Sequence, residues 1–128
     1  MLKKLLIAFV VLMLLVIYHV KIVDRIEIYI DEHREEEWAP RWEFKVGNFY
    51  FYTSRYDRAL EIYEWIQFAY KSSDYVDDAT YMMGRCYEGK LEKDKAREVY
   101  NGLIAKYPKS NYAQKAKQRM DRMYMGIY

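Results

Sequence analysis

The chain begins with an unbroken apolar run and only later shows alternating apolar and polar positions. Residues 5–20, LLIAFVVLMLLVIYHV, carry no charge, and Lys3 and Lys4 precede them. This run approaches the roughly 17–25 residues that cross a bilayer, and lysine stems at its ends can extend toward the headgroups. The pattern predicts a single transmembrane helix that contacts the lipid bilayer through residues 5–20.

The residues after the run decide how this segment is processed. A signal-peptide cleavage site needs small residues before the cut, whereas the sequence here reads YHVKIVD, and no cysteine follows for lipidation. We therefore expect residues 1–21 to be a retained signal anchor, with a cleaved signal peptide and a buried soluble helix as alternatives. A short anchor tipped with lysines usually keeps its N-terminus in the cytoplasm. This predicts a single-pass protein of the inner (cytoplasmic) membrane, with the remaining chain in a bacterial periplasm.

Residues 22–39 form a charged juxtamembrane segment. Ile22, Ile26 and Tyr29 recur at helical spacing, which predicts that the membrane helix continues. Every second residue from Ile26 to Ile30 is isoleucine, a pattern that also fits a strand, but a lone strand has no partner here. We expect a charged helix or linker in this segment.

From residue 40 onward the sequence repeats with a period of 37 residues. Residues 72–87 and 109–124 share six identical positions at this offset, and further matches extend back to Gly47. Matching pairs include Tyr50 and Tyr87, Asp57 and Asp94, Ala59 and Ala96, Tyr63 and Tyr100, Ser73 and Ser110, and Tyr87 and Tyr124. Self-similarity at such a period is the signature of a repeat architecture.

Each repeat unit contains two amphipathic segments with helical spacing, so residues 40–128 are predicted to form two helical hairpins and one capping helix. The whole chain is therefore predicted to be all-α, a transmembrane helix followed by a short α-solenoid. Boundary signals are Pro40 in a first helical turn, Ser54, Ser73 and Ser110 as N-caps, Gly89 in the second hairpin turn, and Pro108 after a helix end. The predicted helices cover about 41–53, 55–70, 74–88, 92–107 and 110–125.

Composition and charge narrow the function classes. The sequence has fifteen tyrosines, which suit half-buried positions between helices. Residues 90–128 carry ten basic and four acidic side chains, which favours an acidic partner, an anionic surface or simply a solvated helical face. This excess is modest, and an exported domain would not meet DNA, so no nucleic-acid partner is expected.

No catalytic, cofactor or metal motif is present in the sequence. His19 and His33 are isolated, and the methionines follow helical spacing, as core residues do. The single Cys86 is interpreted as an inert packing residue, although the neighbouring Arg85 could activate a thiol. We therefore expect a protein that is not an enzyme and that binds no cofactor and no metal.

The repeat resembles the tetratricopeptide repeat family. That family carries a Gly, a Tyr three places later, an Ala twelve places after the Gly, an aromatic residue four beyond it and then a Pro. The second repeat matches every position and the first matches all but the Pro, where Lys71 stands. The matching residues are Gly84, Tyr87, Ala96, Tyr100 and Pro108, and Gly47, Tyr50, Ala59 and Tyr63.

The stretch AREVYNGLIAKYPKSNYAQKAKQRM resembles more specifically the bacterial envelope branch of the family. Members of that branch include the helical-repeat lipoprotein of the outer-membrane β-barrel assembly machine and the periplasmic coordinator of the Tol-Pal system. This resemblance implies a membrane-anchored adaptor, or accessory subunit, that binds other protein subunits of a membrane or envelope complex. The alternative is a homo-oligomeric scaffold that polymerises through its repeat ends, with the C-terminal RMYMGIY as a contact.

The resemblance also implies that the first helix of each hairpin lines a concave groove. Asn48, Arg85 and Arg122 would then form a column, each 37 residues from the next. The alternative for these arginines is hydration, or pairing with Asp78 and Glu88. The predicted partner-binding residues are Arg41, Phe44, Asn48, Phe51, Tyr52, Asp78, Tyr81, Arg85, Glu88, Lys115, Gln118 and Arg122.

Overall fold

The computed structural model describes residues 1–126, apart from the side chain of Val20. The described chain is all-helical, with no strand and with a solenoid-like arrangement, which confirms the predicted fold class. Contacts divide the chain into two compact units, Met1–Glu36 and Glu37–Tyr128, whose last two residues lie outside the described part. The helices are α1 (Leu2–Glu32), α2 (Ala39–Tyr52), α3 (Tyr56–Ala69), α4 (Val76–Gly89), α5 (Lys93–Lys106) and α6 (Asn111–Met125).

The first unit consists of α1 and the short turns that follow it. At 31 residues α1 is long and apolar enough to cross a membrane, and none of its most apolar window is buried. A signal sequence near an N-terminus meets the same criteria of length and apolar composition. The helix continues into the charged segment, as predicted, and its last residue is Glu32. The ring Nδ1 of the C-cap residue His33 lies 2.8 Å from the Tyr29 carbonyl oxygen.

The second unit is a stack of helices in chain order. α2 packs on α3, α3 on α4, α4 on α5, and α6 packs on both α5 and α4. The two predicted hairpins and the closing helix are therefore confirmed, with boundaries that differ from prediction by at most two residues. Burying one apolar face of each helix against the next is what makes short helices of this kind stable.

Glycine and tyrosine set the close approach within each hairpin. A Cβ atom on Gly47 would lie 2.6 Å from a ring carbon of Tyr63, and a Cβ on Gly84 would lie closer still to Tyr100. Both tyrosines are completely buried. The same contact therefore recurs after 37 residues: a tyrosine ring of the second helix packs against the glycine of the first helix, where no side chain stands in its way.

The hairpin turns use a left-handed residue at equivalent positions. Ser54 has φ of 60° and Leu91, 37 residues later, has φ of 62°. The prediction that Ser54 caps α3 is wrong, because its backbone is committed to the turn and Arg55 takes the N-cap position. Gly89 is not the turn residue either. It ends α4, and its missing side chain makes room for the ring of Tyr56.

Of the other predicted helix boundaries, those at Ser110 and Pro40 are confirmed and the one at Ser73 is not. Ser110 is the N-cap of α6, where its Oγ accepts a hydrogen bond from the Tyr112 backbone N–H at 3.1 Å. Ser73 accepts an equivalent bond from Tyr75 at 3.2 Å, but Tyr75 is itself the N-cap of α4, so the capping prediction for Ser73 is wrong. Pro40 lies in the first turn of α2 as predicted.

Candidate protein-binding surface

The twelve predicted partner-binding residues all lie on α2, α4 and α6, the first helix of each repeat and the capping helix. We refer to them together as the first-helix surface. Their exposure separates them into three groups. Exposed are Arg41, Tyr52, Lys115, Gln118 and Arg122, half-buried are Asn48, Phe51, Asp78, Arg85 and Glu88, and buried are Phe44 and Tyr81.

Phe44 is packed into a ring cluster of the protein itself. Its ring centroid lies 5.8 Å from that of Tyr63 and 5.5 Å from that of Tyr75. Only 9% of Phe44 is exposed. In this structure the ring therefore links α2 to α3 and to the start of α4, and its contact with a partner stays a prediction.

Tyr81 repeats this arrangement one unit later. Its ring lies 5.9 Å from that of Tyr100 and 5.7 Å from that of Tyr112, and it is also 9% exposed. The three residues are each 37 positions after their counterparts around Phe44. The exposed apolar contribution of the first-helix surface therefore comes mainly from Tyr52, which is 79% exposed.

Buried tyrosine hydroxyls hold the polar side chains beneath the surface. The Tyr63 hydroxyl donates to Asn48 Oδ1 at 2.7 Å, and the Tyr100 hydroxyl donates to Glu88 Oε1. Burial raises the pKa of both tyrosines above the ordinary value, so they remain protonated donors. Asn48 is thus hydrogen-bonded within its own hairpin, and its place in a partner-binding column stays a prediction.

Asp78 connects α4 to the capping helix. Its Oδ2 accepts a hydrogen bond from the Tyr112 hydroxyl at 2.6 Å. Burial raises the pKa of Asp78, while the Tyr112 hydrogen bond and the charge of Lys115 act in the opposite direction. The preceding Asp77 accepts a hydrogen bond from the Ser110 hydroxyl. Two adjacent carboxylates therefore anchor the start of α6.

An ion pair joins Glu88 on α4 to Arg119 on α6. Arg119 donates from Nε to Oε1 at 3.0 Å and from Nη2 to Oε2, a bidentate pair. This hydrogen bonding to Glu88 raises the pKa of Arg119. The repeat contains no signal for Arg119, because the residue 37 positions earlier is the apolar Met82.

Within the described residues, the three arginines of the first-helix surface have no carboxylate partner. Arg85 lies 5.3 Å from the centroid of the Phe51 ring, which connects α4 to α2. Among residues 1–126, Arg41, Arg85 and Arg122 form no ion pair. The alternative in which the arginines pair with Asp78 and Glu88 is therefore wrong, because Tyr112 and Arg119 bind those carboxylates.

Cys86 has the environment of a packing residue. It is completely buried, and burial raises the pKa of its thiol to about 12 although Arg85 lowers it in part. The thiolate that nucleophilic or redox chemistry needs is therefore disfavoured. Within the described residues, no three His, Cys, Asp or Glu side chains are grouped so that they could hold a metal ion.

A cleft that the sequence did not predict lies over the middle of the stack. The outer cleft has a volume of about 490 Å³ and is lined by α3, α4 and α5, with Thr80, Met83 and Tyr87 contributed by α4. Gly102 forms part of one wall, and nothing lies within 4 Å of where its Cβ would stand. The equivalent position of α3, 37 residues earlier, is Trp65. The sequence signal for this cleft was therefore the replacement of an aromatic residue in the first repeat by glycine in the second.

Comparison with known proteins agrees with the hairpin geometry. No curated protein matches the chain. A tetratricopeptide repeat family model matches residues 78–110, which run from the first turn of α4 through α5 to the turn before α6. Such repeats are generally non-enzymatic modules that mediate binding between proteins. The match over the second hairpin supports the tetratricopeptide repeat family for this chain.

Proposed function

We propose that this protein is a membrane-anchored, non-enzymatic adaptor or accessory subunit that binds other protein subunits of a bacterial membrane or envelope complex through the first-helix surface. The observation that carries this proposal is the tetratricopeptide repeat match over α4 and α5. Arg85 on α4 and Arg122 on α6, which form no ion pair within residues 1–126, are consistent with it. The buried thiol of Cys86 and the buried side chains of Met82 and Met83 offer no chemistry that favours an enzyme.

The anchoring part of the proposal rests on α1. The apolar window of α1 is not covered by protein, so the hydrocarbon core of a bilayer would bury the side chains that are otherwise exposed to water. The proposed arrangement is a retained anchor in the inner membrane, with the N-terminus in the cytoplasm and the repeat unit in the periplasm. Tethering to the bilayer raises the effective concentration of neighbouring membrane proteins, so each contact at the surface can be weak.

Co-purification of the tagged full chain with its partner tests the proposal. Arg85→Glu together with Arg122→Glu is expected to release the partner while the helical content is unchanged. Lys109→Glu with Lys117→Glu changes the same charge at exposed lysines outside the surface and should retain it. Retention by the Arg85 and Arg122 variant would contradict binding at this surface.

The outer cleft provides the competing site, and one substitution separates the two. Gly102→Trp places in α5 the residue that α3 has at the equivalent position, and no atom lies within 4 Å of the new Cβ. If the first-helix surface is the contact, this variant keeps its partner. If Gly102→Trp loses the partner and the arginine variant does not, the partner binds at the outer cleft instead.

A second candidate function is self-assembly, favoured by exposed apolar side chains at the end of α6. Tyr124 is 69% exposed and Met125 is 65% exposed. The last two residues of the proposed contact RMYMGIY lie outside the described residues. Multi-angle light scattering of the full chain in detergent distinguishes the candidates. Concentration-dependent growth that Tyr124→Ser abolishes supports self-assembly, whereas a monomer across the concentration range argues against it.

A further inference from the structure

The turn between α4 and α5 carries an apolar side chain at a position that the fold itself does not favour. Leu91 has a left-handed backbone with φ of 62°, a conformation that glycine and asparagine adopt far more readily than leucine. Its side chain is 81% exposed. The equivalent turn of the first hairpin has the polar Ser54 in the same conformation. Leu91 therefore gains neither burial nor backbone ease within the described chain, and such an outlier points to a function.

The two hairpin turns lie side by side at one end of the stack. Lys90, next to Leu91, forms an ion pair with Asp57 in the first turn of α3. The ring of Tyr56 packs against Gly89, where a side chain would collide with it. The second turn is therefore held against the first turn, and both belong to one continuous end of the repeat unit.

The last turn of α6 lies at the same end. The guanidinium of Arg97, in the second turn of α5, lies 5.7 Å from the centroid of the Tyr124 ring. Tyr124 and Met125 are both mainly exposed. We use the name turn-end surface for the exposed apolar side chains and cations that are found here. They are Leu91, Tyr124 and Met125, with Arg55 and Lys93.

This end of the stack has an excess of positive charge. Residues 52–58 carry two basic and one acidic side chain, and residues 89–97 carry four basic and two acidic side chains. Each of the three acidic side chains already forms an ion pair with a lysine or arginine of residues 89–97. Their negative charge is therefore matched within the unit, and the excess of cations attracts an anionic surface.

We propose that the turn-end surface binds the interface of an anionic lipid bilayer, with Leu91 inserted below the headgroups and Arg55 and Lys93 among the lipid phosphates. Binding of this kind requires exposed apolar area together with attraction to anionic headgroups, and this surface offers both. The exposed tyrosine ring of Tyr124 suits the boundary between lipid and water. The inference goes beyond the proposed function, because none of these residues belongs to the first-helix surface.

A second protein is the other class of occupant, and the form of the surface favours lipid. A protein that buried Leu91 would need a pocket matched to a side chain at the tip of a turn, whereas a bilayer accepts such a side chain without a preformed pocket. Lysines stand close to Leu91 on both sides, at Lys90 and Lys93. Lysine is depleted at protein interfaces, but it places its charge well at a headgroup layer above a buried apolar side chain.

Flotation of the full chain with lipid vesicles tests the proposal. The chain is held in phosphatidylcholine nanodiscs, and vesicles of phosphatidylcholine with or without phosphatidylglycerol are added. Vesicles that contain phosphatidylglycerol are expected to bind at least about tenfold more tightly than those of phosphatidylcholine alone, and high salt should weaken the binding. Equal binding to both kinds of vesicle, or binding to neither, would overturn the proposal.

Matched variants assign the vesicle binding to the turn-end surface. Leu91→Ser introduces the residue that the first hairpin has at the equivalent position, and it is expected to weaken binding at least about fivefold. Arg55→Gln with Lys93→Gln should weaken it at least about fivefold as well. Lys71→Gln with Lys109→Gln makes the same charge change in the loops after α3 and α5, at the other end of the stack, and should change binding by less than about twofold.

Unchanged circular dichroism establishes that these variants are folded. Wild-type binding by Leu91→Ser contradicts the proposal, and so does a loss in the control pair that equals the loss in the Arg55 and Lys93 pair. If Leu91→Ser releases a protein partner on co-purification while its vesicle binding is unchanged, the turn-end surface binds protein and the lipid proposal is wrong.

An environment-sensitive fluorophore measures insertion directly. Cys86 is completely buried, so a thiol reagent labels Leu91→Cys at position 91 and Ser72→Cys in the exposed loop before α4. With phosphatidylglycerol vesicles, emission from position 91 is expected to shift to the blue and to be quenched by nitroxides on the acyl chains, whereas emission from position 72 is unchanged. An unchanged emission from position 91 would overturn insertion. Release of a partner by Arg85→Glu with Arg122→Glu is a separate result, so the lipid contact and the adaptor function can fail independently.

Discussion

Arg119 on α6 binds both carboxylate oxygens of Glu88 on α4, with Nε 3.0 Å from Oε1. The Glu88 side chain is only 15% exposed, and that of Arg119 is 30% exposed. The pair therefore fixes the capping helix to the second hairpin through a contact that is substantially shielded from solvent. Tyr100 donates to the same carboxylate, which ties α5 into the contact.

Removing this cation should destabilise the repeat unit. Arg119→Ala leaves the Glu88 carboxylate without its bidentate partner, and we expect a loss of about 1–3 kcal/mol in the free energy of unfolding. The three tryptophans of the chain all lie after residue 37, so their fluorescence in urea reports on this unit. Arg122→Ala on the same helix, at an exposed position, should change stability by less than about 0.5 kcal/mol. Equal effects of both substitutions would contradict a special role for Arg119.

Two helical glycines should respond to the same substitution with opposite signs. Gly84→Ala forces a methyl group into the ring of Tyr100, and we expect a loss of about 1–3 kcal/mol in stability from overpacking. Gly102→Ala meets no atom within 4 Å and should gain about 0.5–1 kcal/mol from helix propensity. Urea unfolding of both variants measures this, and destabilisation by Gly102→Ala would show that the outer cleft is closed in solution.

The raised pKa of Asp78 makes a specific contribution to pH dependence. Because burial raises its pKa in the folded state, the folded protein binds this proton more tightly than the unfolded chain does. The resulting stability is fully present below the unfolded pKa of about 3.9 and is lost as pH rises through the folded pKa.

Asp78→Asn should remove this contribution. The amide oxygen can still accept from the Tyr112 hydroxyl, so the contact with α6 remains. We expect the difference in unfolding free energy between Asp78→Asn and the wild type to shift in favour of the variant as pH rises from about 4 to 7. Urea unfolding across that range measures the difference, and a constant difference would contradict a raised pKa.

Cys86 should be unreactive until the protein unfolds. Its thiol is fully buried with a pKa of about 12, so little thiolate is present near neutral pH. Modification by an aromatic disulfide reagent is expected to be slow in buffer and complete in denaturant. Rapid modification of the folded chain would show that Cys86 is accessible and would reopen redox chemistry as a function.

Most of the fold could be predicted from the sequence because the repeat encodes direct contacts. The same glycine–tyrosine contact occurs in both hairpins, between Gly47 and Tyr63 and again between Gly84 and Tyr100. The identities at an offset of 37 residues therefore predict a contact. Helix periodicity placed each element within two residues of its observed bounds. The left-handed turn residue Leu91 escaped prediction because turn geometry requires a backbone conformation that leucine rarely adopts.

The candidate surface was less predictable, because contacts between repeats decide which of its side chains are free. Phe44 and Tyr81 were expected to face a partner, but Tyr75 and Tyr112 complete ring clusters around them. Arg119 has no counterpart in the preceding repeat, so its pairing with Glu88 left no trace in the periodicity. A side chain that bridges two elements depends on their three-dimensional arrangement rather than on spacing within either one.

Site-specific photocrosslinking at two exposed aromatic residues tests most directly whether this unit binds another protein through its first helices. Tyr52 on α2 is 79% exposed and belongs to the first-helix surface, whereas Phe68 on α3 is 68% exposed and does not. A photoreactive phenylalanine at position 52 is expected to crosslink the full chain in its membrane to another protein, and the same group at position 68 is not. Crosslinking from position 68 with none from position 52 would contradict the adaptor surface described here.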